Sequence, residues 1–431
     1  MQLTSSGKRG RINALVPRGL VENFVDILST PVTQEGLCPL SISWERGKVI
    51  KIEGAQNLGK TVSKLLLPRL VEPHAHIDKV FTWKNFNNLM GTYEGALTAN
   101  LDELQSRTPH LVHLRAEKAL HLALRNGLRS VRTHIDSFGL KGRETWEVLS
   151  RLKKEWKGLI ELQCVALVPL NYWGTVEGQL FATRVATENG LLGGVLVPPF
   201  DKKKSFMALC DLICLANEIG CGLDLHIDEA GSCPGVGIKQ LLRVLDQVKT
   251  EVPITCSHAS SMGLLRPKPL KYFSERLAHH QVSVVALPLT NGWLLGRREK
   301  ETPINRPLAP IKQLQNAGVI VAIGCDNVQD PWFPLGNLDP ISLMSVAMPL
   351  TQLAPWQRLG LSPFTTSASS LIGLKWDGMI YPGCPADFVL LDANSWSETL
   401  STIPMREHII NGDFYDKNML PINQKSINLE T

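Results

Sequence analysis

Four short motifs in this chain carry side chains that bind metal ions or move protons, and each follows an apolar run. In chain order they are His74-Ala75-His76, His226-Ile227-Asp228-Glu229, Ser257-His258 and Asp326-Asn327. Neutral imidazole is a common ligand of borderline transition metals. Imidazoles combined with carboxylates can hold a metal ion that activates water. The pattern predicts a metal-dependent hydrolase if the fold brings the four motifs together.

The predicted metal ligands are His74, His76, His226 and Asp326. His74 and His76 are two residues apart, so on a β-strand both rings project to the same side. His226 can complete a set of three nitrogens, and Asp326 can bind through one oxygen and orient hydroxide through the other. Three protein nitrogens and one carboxylate leave a position for water, as in catalytic sites. Each residue alone is more typical of packing or a turn, so the prediction depends on the four together.

The predicted catalytic residues are Glu229, His258 and Asp326. Glu229 follows His226 by three residues and can reach the same pocket without being a ligand, which suits a general acid/base. In the structural alternative, Asp228 and Glu229 are simply acids at a helix N-terminus or in a loop. His258 could bind the metal, accept a proton from water or stabilise an oxyanion. These three functions remain open for His258.

One divalent metal ion per chain is expected, and a pair is not. Residues 186–200, where the fourth strand should run, contain no lysine. A modified lysine that bridges two ions is therefore unavailable on that strand. The cofactor is predicted to be a single ion, iron or zinc.

The elements that must position these motifs alternate between strand and helix. Strand candidates begin near Leu66, Leu128, Leu162, Leu192, Gly222, Pro253, Val282 and Val319. Helical patterns lie between most of them; for example, Leu241, Val244, Leu245 and Val248 share one helix face. Eight such repeats predict an α/β fold, a (β/α)₈ TIM-type barrel whose strand ends meet on one face. A doubly wound open sheet is the structural alternative, but no Gly-x-Gly-x-x-Gly follows a strand.

Short alternating segments near both chain ends predict a small composite β-sandwich domain. The expected bounds are 1–68 for its N-terminal half, 69–374 for the metal-dependent barrel and 375–431 for its C-terminal half. The composition, with 44% hydrophobic and 20% charged residues over 431 residues, is that of a protein with a sizeable core.

Charge and cysteine usage exclude several classes of partner. The net charge is +5, but the basic residues are scattered, which argues against nucleic-acid binding. Nine cysteines occur without a CxxC pair, which favours a reducing, cytoplasmic location. The N-terminal stretch lacks an apolar segment for a signal peptide, and no run is long enough to span a membrane.

Beyond these patterns, the chain resembles the amidohydrolase superfamily, and within it the bacterial cytosine deaminase group, which includes N-isopropylammelide amidohydrolase-like enzymes. The resemblance covers nearly the whole chain, in family order. The matching stretches are Val71-Glu72-Pro73-His74-Ala75-His76-Ile77-Asp78, Val131-Arg132-Thr133-His134-Ile135-Asp136, His226-Ile227-Asp228-Glu229, Ser257-His258-Ala259, Asn291-Gly292-Trp293-Leu294-Leu295-Gly296-Arg297 and Asp326-Asn327-Val328-Gln329-Asp330-Pro331-Trp332-Phe333-Pro334-Leu335-Gly336.

The resemblance implies that His74, His76, His226 and Asp326 hold iron or zinc. It implies Glu229 as the proton shuttle to the substrate ring. It also implies that His258 positions or polarises the attacking water. A (β/α)₈ barrel with a composite β domain and a homo-oligomeric state is usual in the family.

Two departures from the cytosine deaminase pattern concern substrate recognition. Those enzymes carry a Gln after a proline beyond the third strand, whereas here Leu170 and Asn171 follow Pro169. The Asp that normally follows the metal-binding Asp is replaced by Asn327. Since buried hydrogen bonds discriminate strongly between ring edges, the preferred substrate should differ from cytosine.

The predicted reaction is attack of metal-activated hydroxide on a ring carbon that bears an amino or alkylamino group. Glu229 would protonate the adjacent ring nitrogen, and ammonia or an amine would leave. Asn327, Trp332, Trp173 and Trp293 are predicted to bind the substrate, the tryptophans by stacking on a small nitrogen heterocycle. Ordinary packing is the alternative for each tryptophan.

Two other functions fit the sequence less well. One is a related chemistry, the hydrolysis of a cyclic amide or of an s-triazine. The other is a non-catalytic barrel protein with an assembly or regulatory function. Proteins of the second kind tend to lose metal ligands, whereas this chain keeps every one.

Overall fold

The structure is a computed structural model that describes residues 9–22, 30–55 and 64–415. The first residues of the N-terminal segment and the end of the predicted C-terminal domain, residues 416–431, lie outside the described residues. The chain divides into two compact units. One comprises Met1–Val71, His121–Arg129 and Asp339–Thr431, and the other comprises Glu72–Leu120 and Ser130–Leu338.

The described residues form fifteen β-strands in two sheets. In chain order the strands are β1 Gly10–Pro17, β2 Leu37–Glu45, β3 Lys48–Gly54, β4 Leu65–Pro68, β5 Leu70–Ala75, β6 Leu128–Asp136, β7 Glu161–Leu167, β8 Leu191–Leu196, β9 Leu223–Ile227, β10 Ile254–His258, β11 Ser283–Ala286, β12 Val321–Ile323, β13 Phe388–Leu391, β14 Arg406–Ile410 and β15 Asp413–Tyr415.

In the chain, the α-helices of the described residues lie mainly between strands β5 and β12. They are α1 Tyr93–Ser106, α2 Pro109–Arg125, α3 Gly139–Glu155, α4 Val176–Thr187, α5 Lys202–Ile219, α6 Val236–Leu245, α7 Pro267–His279, α8 Pro288–Leu294, α9 Ile311–Asn316, α10 Pro340–Thr351, α11 Arg358–Leu361, α12 Thr366–Leu371 and α13 Trp396–Thr402. Short 3₁₀ turns occupy Arg18–Leu20, Leu170–Gly174, Ser260–Leu264 and Ser362–Phe364.

The eight strands β5 to β12 form a nearly closed parallel barrel. Their order in the sheet follows the chain, from β5 at one edge to β12 at the other. Ala75 and Asp326 form a parallel bridge between the two edges, and the Asp326 amide donates to the carbonyl of His74 at 3.0 Å. The (β/α)₈ prediction is therefore confirmed, and catalytic groups of such barrels lie at the C-terminal ends of the strands.

Local sequence explains where the barrel elements begin and end. Strands β9 and β10 are buried along their whole length, which is typical of parallel strands covered on both faces. Helix α5 begins after Asp201, whose carboxylate accepts from the backbone amides of Lys203 and Lys204. It ends at Gly220, whose φ of +64° is the left-handed conformation that favours glycine at a helix end.

Segments from both ends of the chain form the other sheet. Its seven strands lie in the order β15-β14-β13-β4-β1-β2-β3. Strand β4 pairs antiparallel with β13, with Leu66 opposite Leu390. The Trp44 indole donates to the carbonyl of Gly412 at 2.7 Å. The composite terminal β domain is thus confirmed.

Individual boundaries differ from the sequence predictions in two places. The apolar run near Leu66 forms β4 of the terminal sheet, and the first barrel strand begins at Leu70 instead. Helix α6 ends at Leu245, so Val248 lies beyond it. The predicted domain bounds 1–68, 69–374 and 375–431 stay a prediction. The division into compact units groups residues 339–374 with the terminal segments. Among the described residues, no helix is long and apolar enough to cross a membrane.

Candidate active site

Three imidazoles converge at the C-terminal ends of β5 and β9. The Nε2 atoms of His74 and His76 are 3.4 Å apart, and those of His226 and His76 are 3.2 Å apart. Ligand atoms placed tetrahedrally about 2.0–2.1 Å from one zinc ion would lie roughly 3.3 Å from one another. The spacing of the three nitrogens therefore fits a shared metal ion.

Asp326 adds a carboxylate to the same point. Its Oδ1 lies 3.5 Å from His74 Nε2 and 3.4 Å from His76 Nε2. Neither carboxylate oxygen has a hydrogen-bond partner among the described residues, although the side chain is 1% exposed. A buried, unpaired carboxylate is costly unless a cation neutralises it. The donor set thus fits a metal ion.

Backbone conformation and a buried acid hold the ligand-bearing segments. Glu72 accepts hydrogen bonds from the backbone amides of His74 and Cys325, at 3.0 and 3.1 Å, and so joins the end of β5 to the segment before Asp326. Asp326 itself has a φ of +65°, and His258 has one of +72°. Such left-handed conformations are strained for residues other than glycine and cluster at functional sites.

A hydrogen-bond relay fixes the ring of His74. Its Nδ1 lies 2.8 Å from the hydroxyl of Ser257, and that hydroxyl donates to Asp224 at 2.7 Å. Arg132 pairs with the other oxygen of Asp224 at 2.7 Å. Since the serine proton is used on Asp224, His74 must donate from Nδ1, which leaves the Nε2 lone pair for a metal. Ser257 and Asp224 were not predicted as site residues.

The ring of His134 lies against the cluster but makes no hydrogen bond among the described residues. It stacks on His74 with a centroid separation of 3.8 Å, and its side chain is fully buried. Burial, followed by the fields of His74 and His76, holds the pKa of His134 well below its ordinary value. His134 therefore packs in its neutral form. His134 lies in the stretch Val131–Asp136 that resembles the family, but the sequence predicted no function for it.

Glu229 and His258 face each other beside the ligand cluster. Glu229 Oε1 lies 3.5 Å from His258 Nδ1, and both side chains are almost fully buried. Burial, reinforced by the charge of Asp326, raises the pKa of Glu229 well above its ordinary value, whereas Lys79 opposes the rise. Burial lowers the pKa of His258 to about 3. This pairs a carboxyl group inclined to carry a proton with an imidazole that stays neutral.

The amide of Asn291 determines which nitrogen of His258 carries hydrogen. Asn291 Nδ2 donates to His258 Nδ1 at 3.0 Å, so neutral His258 carries its proton on Nε2. A nitrogen of His258 lies within 4.8 Å of ligand atoms of His74 and Asp326. Sequence reasoning included Asn291 in a motif without assigning it a function.

Aromatic side chains form a cluster near the acids. Tyr93, at the start of α1, contacts Trp332 edge to face at a centroid separation of 5.1 Å. Tyr93, Trp332 and Trp293 pack against one apolar cluster, Ala96, Leu294 and Leu295. The indole nitrogen of Trp293 has no hydrogen-bond partner among the described residues. Burial, followed by the charge of Glu229, raises the pKa of Tyr93. Tyr93 was missed because a single tyrosine carries no sequence signal.

Two of the predicted substrate-binding residues, Trp173 and Asn327, make contacts within the protein. Trp173 is fully buried, donates to the carbonyl of Gly193 at 2.8 Å and stacks on Phe181, which are the contacts of a packing residue. Asn327 donates to the carboxylate of Asp330 at 2.9 Å and is 4% exposed. Both assignments to substrate binding stay predictions.

A buried ion network lies behind the first ligand motif. Lys79 pairs with Asp136 at 2.8 Å, and Arg107 bridges Asp136, Asp78 and Glu103. Arg115 also pairs with Glu103, at 2.7 Å, so three cations balance the three acids, which is the condition for burying such charges. Lys79 is also the cation whose field lowers the pKa of Glu229. Sequence reasoning did not predict this network.

The profile of the amidohydrolase family matches residues 87–407. The chain is 31% identical to a pterin deaminase of Rhizobium rhizogenes over 92% of this chain and 91% of the relative. It is 25% identical to an N-isopropylammelide isopropyl amidohydrolase of a Pseudomonas strain, over 77% of this chain and 80% of the relative.

Solved structures share the same fold. A 5-methylcytosine deaminase from Klebsiella pneumoniae, liganded with phosphonocytosine, superposes with a TM-score of 0.79 at 22% identity, covering 95% of this chain and 99% of that one. An N-isopropylammelide isopropylaminohydrolase from Burkholderia multivorans gives a TM-score of 0.71 at 21% identity, covering 93% and 97%. The family match and the 31% identical relative show that the chain belongs to the amidohydrolase family, enzymes that hydrolyse carbon–nitrogen bonds.

Proposed function

We propose that this enzyme deaminates an aminated bicyclic nitrogen heterocycle of the pterin class, with one divalent ion, iron or zinc, held by His74, His76, His226 and Asp326. The observation that carries the proposal is the convergence of three imidazoles, with His76 Nε2 3.4 Å from His74 Nε2 and 3.2 Å from His226 Nε2. They lie beside Glu229 and a buried carboxylate, that of Asp326, which has no hydrogen-bond partner among the described residues. The substrate class is supported by the similarity to a pterin deaminase over almost the full length of both chains.

A bound divalent ion would lower the pKa of a coordinated water to about 7 and so supply hydroxide at neutral pH. The side chains of this protein then handle the protons. Glu229 accepts the proton from water and delivers it to the ring nitrogen adjacent to the aminated carbon. Its raised pKa suits it to carry that proton between the two positions.

In this reaction His258 donates a hydrogen bond and does not accept a proton from water. Because Asn291 donates to Nδ1, the Nε2 nitrogen of His258 is a donor. A pKa of about 3 keeps the ring neutral near pH 7. His258 can therefore donate a hydrogen bond to the attacking oxygen and stabilise the charge that develops there.

The aromatic cluster of Tyr93, Trp293 and Trp332 supplies aromatic side chains that a planar ring could contact. Offset or edge contacts between aromatic groups contribute about 0.5–1.5 kcal/mol beyond the area they bury. The unpartnered indole N–H of Trp293 can donate to a ring nitrogen or carbonyl. These groups would orient the aminated carbon toward the ligand cluster.

A second candidate is hydrolytic release of an alkylamine from an s-triazine. It is favoured by the similarity to an N-isopropylammelide isopropyl amidohydrolase. The same ligand set and Glu229 could perform both reactions, because each replaces a nitrogen leaving group on an electron-poor ring carbon. The substrate panel below distinguishes them.

The proposal extends to the cellular location of the protein and to its partners. All nine cysteines are free, which supports a reducing, cytoplasmic location. We further propose a small-molecule substrate, no nucleic-acid partner and a homo-oligomeric state, the last from the family resemblance alone.

The test is elemental analysis of protein purified without chelators, combined with a release assay on pterin, cytosine and N-isopropylammelide. The expected result is about one iron or zinc per chain and ammonia release from pterin. Amine release from N-isopropylammelide alone would establish the second candidate. Metal-free protein that acquires no activity with either ion would contradict the metal site.

A further inference from the structure

A large apolar cavity opens at the C-terminal ends of β6, β7 and β8. Its volume is about 640 Å³, and its walls include Leu104, Phe138, Leu167, Val195, Phe200 and Ala208. We call it the β6–β8 cavity. None of the proposed metal ligands lines it. It is therefore a space additional to the ligand cluster.

Strand register places this cavity next to the ligand cluster. Val195 on β8 is paired with His226 on β9 in parallel register, so the two side chains project from the same face of the sheet. Asp136 lies two residues beyond His134 on β6 and also faces that side, and its partner across the ladder is Leu167. Val195 is 40% exposed, as expected of a residue beside an open space.

The volume is more than the reacting ring alone needs. Pockets of about 300–1,000 Å³ bind ligands of drug size, whereas one aminated six-membered ring is a small fragment of such a ligand. A bicyclic substrate with its aminated carbon at the ligand cluster would direct the substituents of its second ring away from the reacting carbon. The β6–β8 cavity is the adjoining space that could accept such a substituent.

The charges around the cavity favour an uncharged occupant. Asp136 is already neutralised by Lys79 and Arg107. Lys204 and Asp201, one cation and one anion, both line the cavity. The acids and the lysine at the rim therefore leave no net positive charge for an anionic group. Most of the remaining wall is aliphatic or aromatic.

We infer that the β6–β8 cavity binds an apolar or aromatic substituent carried by the distal ring of the substrate. This inference rests on the proposed function and adds a substrate class to it: a substituted pterin, rather than the bare ring. Burial of such a group at about 25 cal/mol per Å² would strengthen binding to the cavity.

The experiment compares pterin, 6-benzylpterin and pterin-6-carboxylate in the metal-loaded enzyme. We expect kcat/KM for 6-benzylpterin to exceed that for pterin by about tenfold or more, consistent with burying a phenyl-sized group. Ala208→Phe fills the cavity and should abolish this advantage while leaving pterin turnover unchanged. Met207→Phe, one residue earlier on α5 and 56% exposed, is the matched control. Leu104→Trp, from the opposite wall, repeats the test if Ala208→Phe fails to fold.

Binding of 6-benzylpterin by calorimetry keeps this inference separate from the proposed function. Weaker binding to Ala208→Phe than to the wild type would support the cavity even if no pterin is deaminated. Equal binding to both proteins would overturn it, as would equal kcat/KM for pterin and 6-benzylpterin. A preference for pterin-6-carboxylate would also overturn it, because Lys204 would then determine the occupant.

Discussion

The two sides of the barrel mouth differ in the kind of side chain that their strands supply. Strands β5, β9 and β10, and the segment after β12, end in buried ionisable groups whose atoms lie within hydrogen-bond or metal-ligand distance of one another. Strands β6 to β8 end mostly in apolar residues around an open cavity. One side therefore contains the groups that could break a bond. The other offers apolar surface and space.

This difference separates chemistry from recognition. The polar side tolerates little change, because each buried group needs its partner: Asp326 needs a cation and His74 needs Ser257. Apart from Asp136 and its ion pairs, the residues that line the apolar side are mostly aliphatic or aromatic, so the shape of this side can vary without loss of the metal. Relatives that share this fold can in this way act on different rings.

Removing the proton shuttle is the strongest test of the polar side. Glu229→Gln keeps the shape but cannot accept a proton, and positioned general acid–base groups contribute about 10²–10⁴-fold to rates. We expect kcat to fall by about that factor while metal content is unchanged. Glu161→Gln, at the exposed start of β7, is the matched control. Turnover at the wild-type rate in Glu229→Gln would rule out the shuttle.

Cutting the relay behind His74 should have the next largest effect. Ser257→Ala removes the acceptor of the Nδ1 proton, and loss of such outer partners lowers metal affinity by about 10–100-fold. Competition with a chelator measures this affinity without any assay of activity. Ser130→Ala, a buried serine on β6 that donates to the Glu161 carbonyl, is the control. Equal metal affinity in both variants would mean that Ser257 does not orient the ligand.

The sequence predicted which residues converge on the polar side because they are distinctive residue types at strand ends; their function as metal ligands stays a prediction. His74, His76, His226 and Asp326 all lie where the motifs placed them. The supporting residues were not predicted as functional. Ser257 and Asp224 are linked only through the closed barrel, and Tyr93 is brought near Glu229 by the position of α1. Such contacts depend on tertiary packing, so residue spacing contains no sign of them.

The apolar side could be predicted only in part. Leu170 and Asn171, which the sequence indicated as a departure in substrate recognition, line the cavity, whereas the residues that α1 and α5 contribute belong to no motif. Trp173 illustrates the difficulty, because its position after β7 suggested substrate stacking while the structure buries it against Phe181. The boundary between β4 and β5 shows the same limit: both are apolar, and only sheet pairing distinguishes them.

The fall of kcat/KM at low pH tests whether the ion network around Lys79 influences the pKa of Glu229. Lys79 lowers the pKa of Glu229, so Lys79→Met should raise that pKa. Glu229 must be deprotonated to accept a proton, so kcat/KM should begin to fall at a higher pH in this variant and drop tenfold per pH unit below that point. Arg107 still pairs with Asp136 at 3.2 Å in this variant. Lys118→Met, a lysine that contacts the Phe81 ring, is the control, and coincident profiles would contradict the coupling.

The smallest expected effect concerns the edge of the apolar side. Phe138 is 54% exposed and lines the β6–β8 cavity, where it contacts Tyr172 edge to face. Phe138→Ala should raise KM for 6-benzylpterin by about 2–10-fold, the equivalent of one aromatic contact, and leave KM for pterin unchanged. Leu140→Ala, at a neighbouring residue that is 77% exposed and does not line the cavity, should change neither value. Equal rises in KM for both substrates in Phe138→Ala would show that the two sides of the mouth are not independent, because the loss would then act on the ring at the ligand cluster.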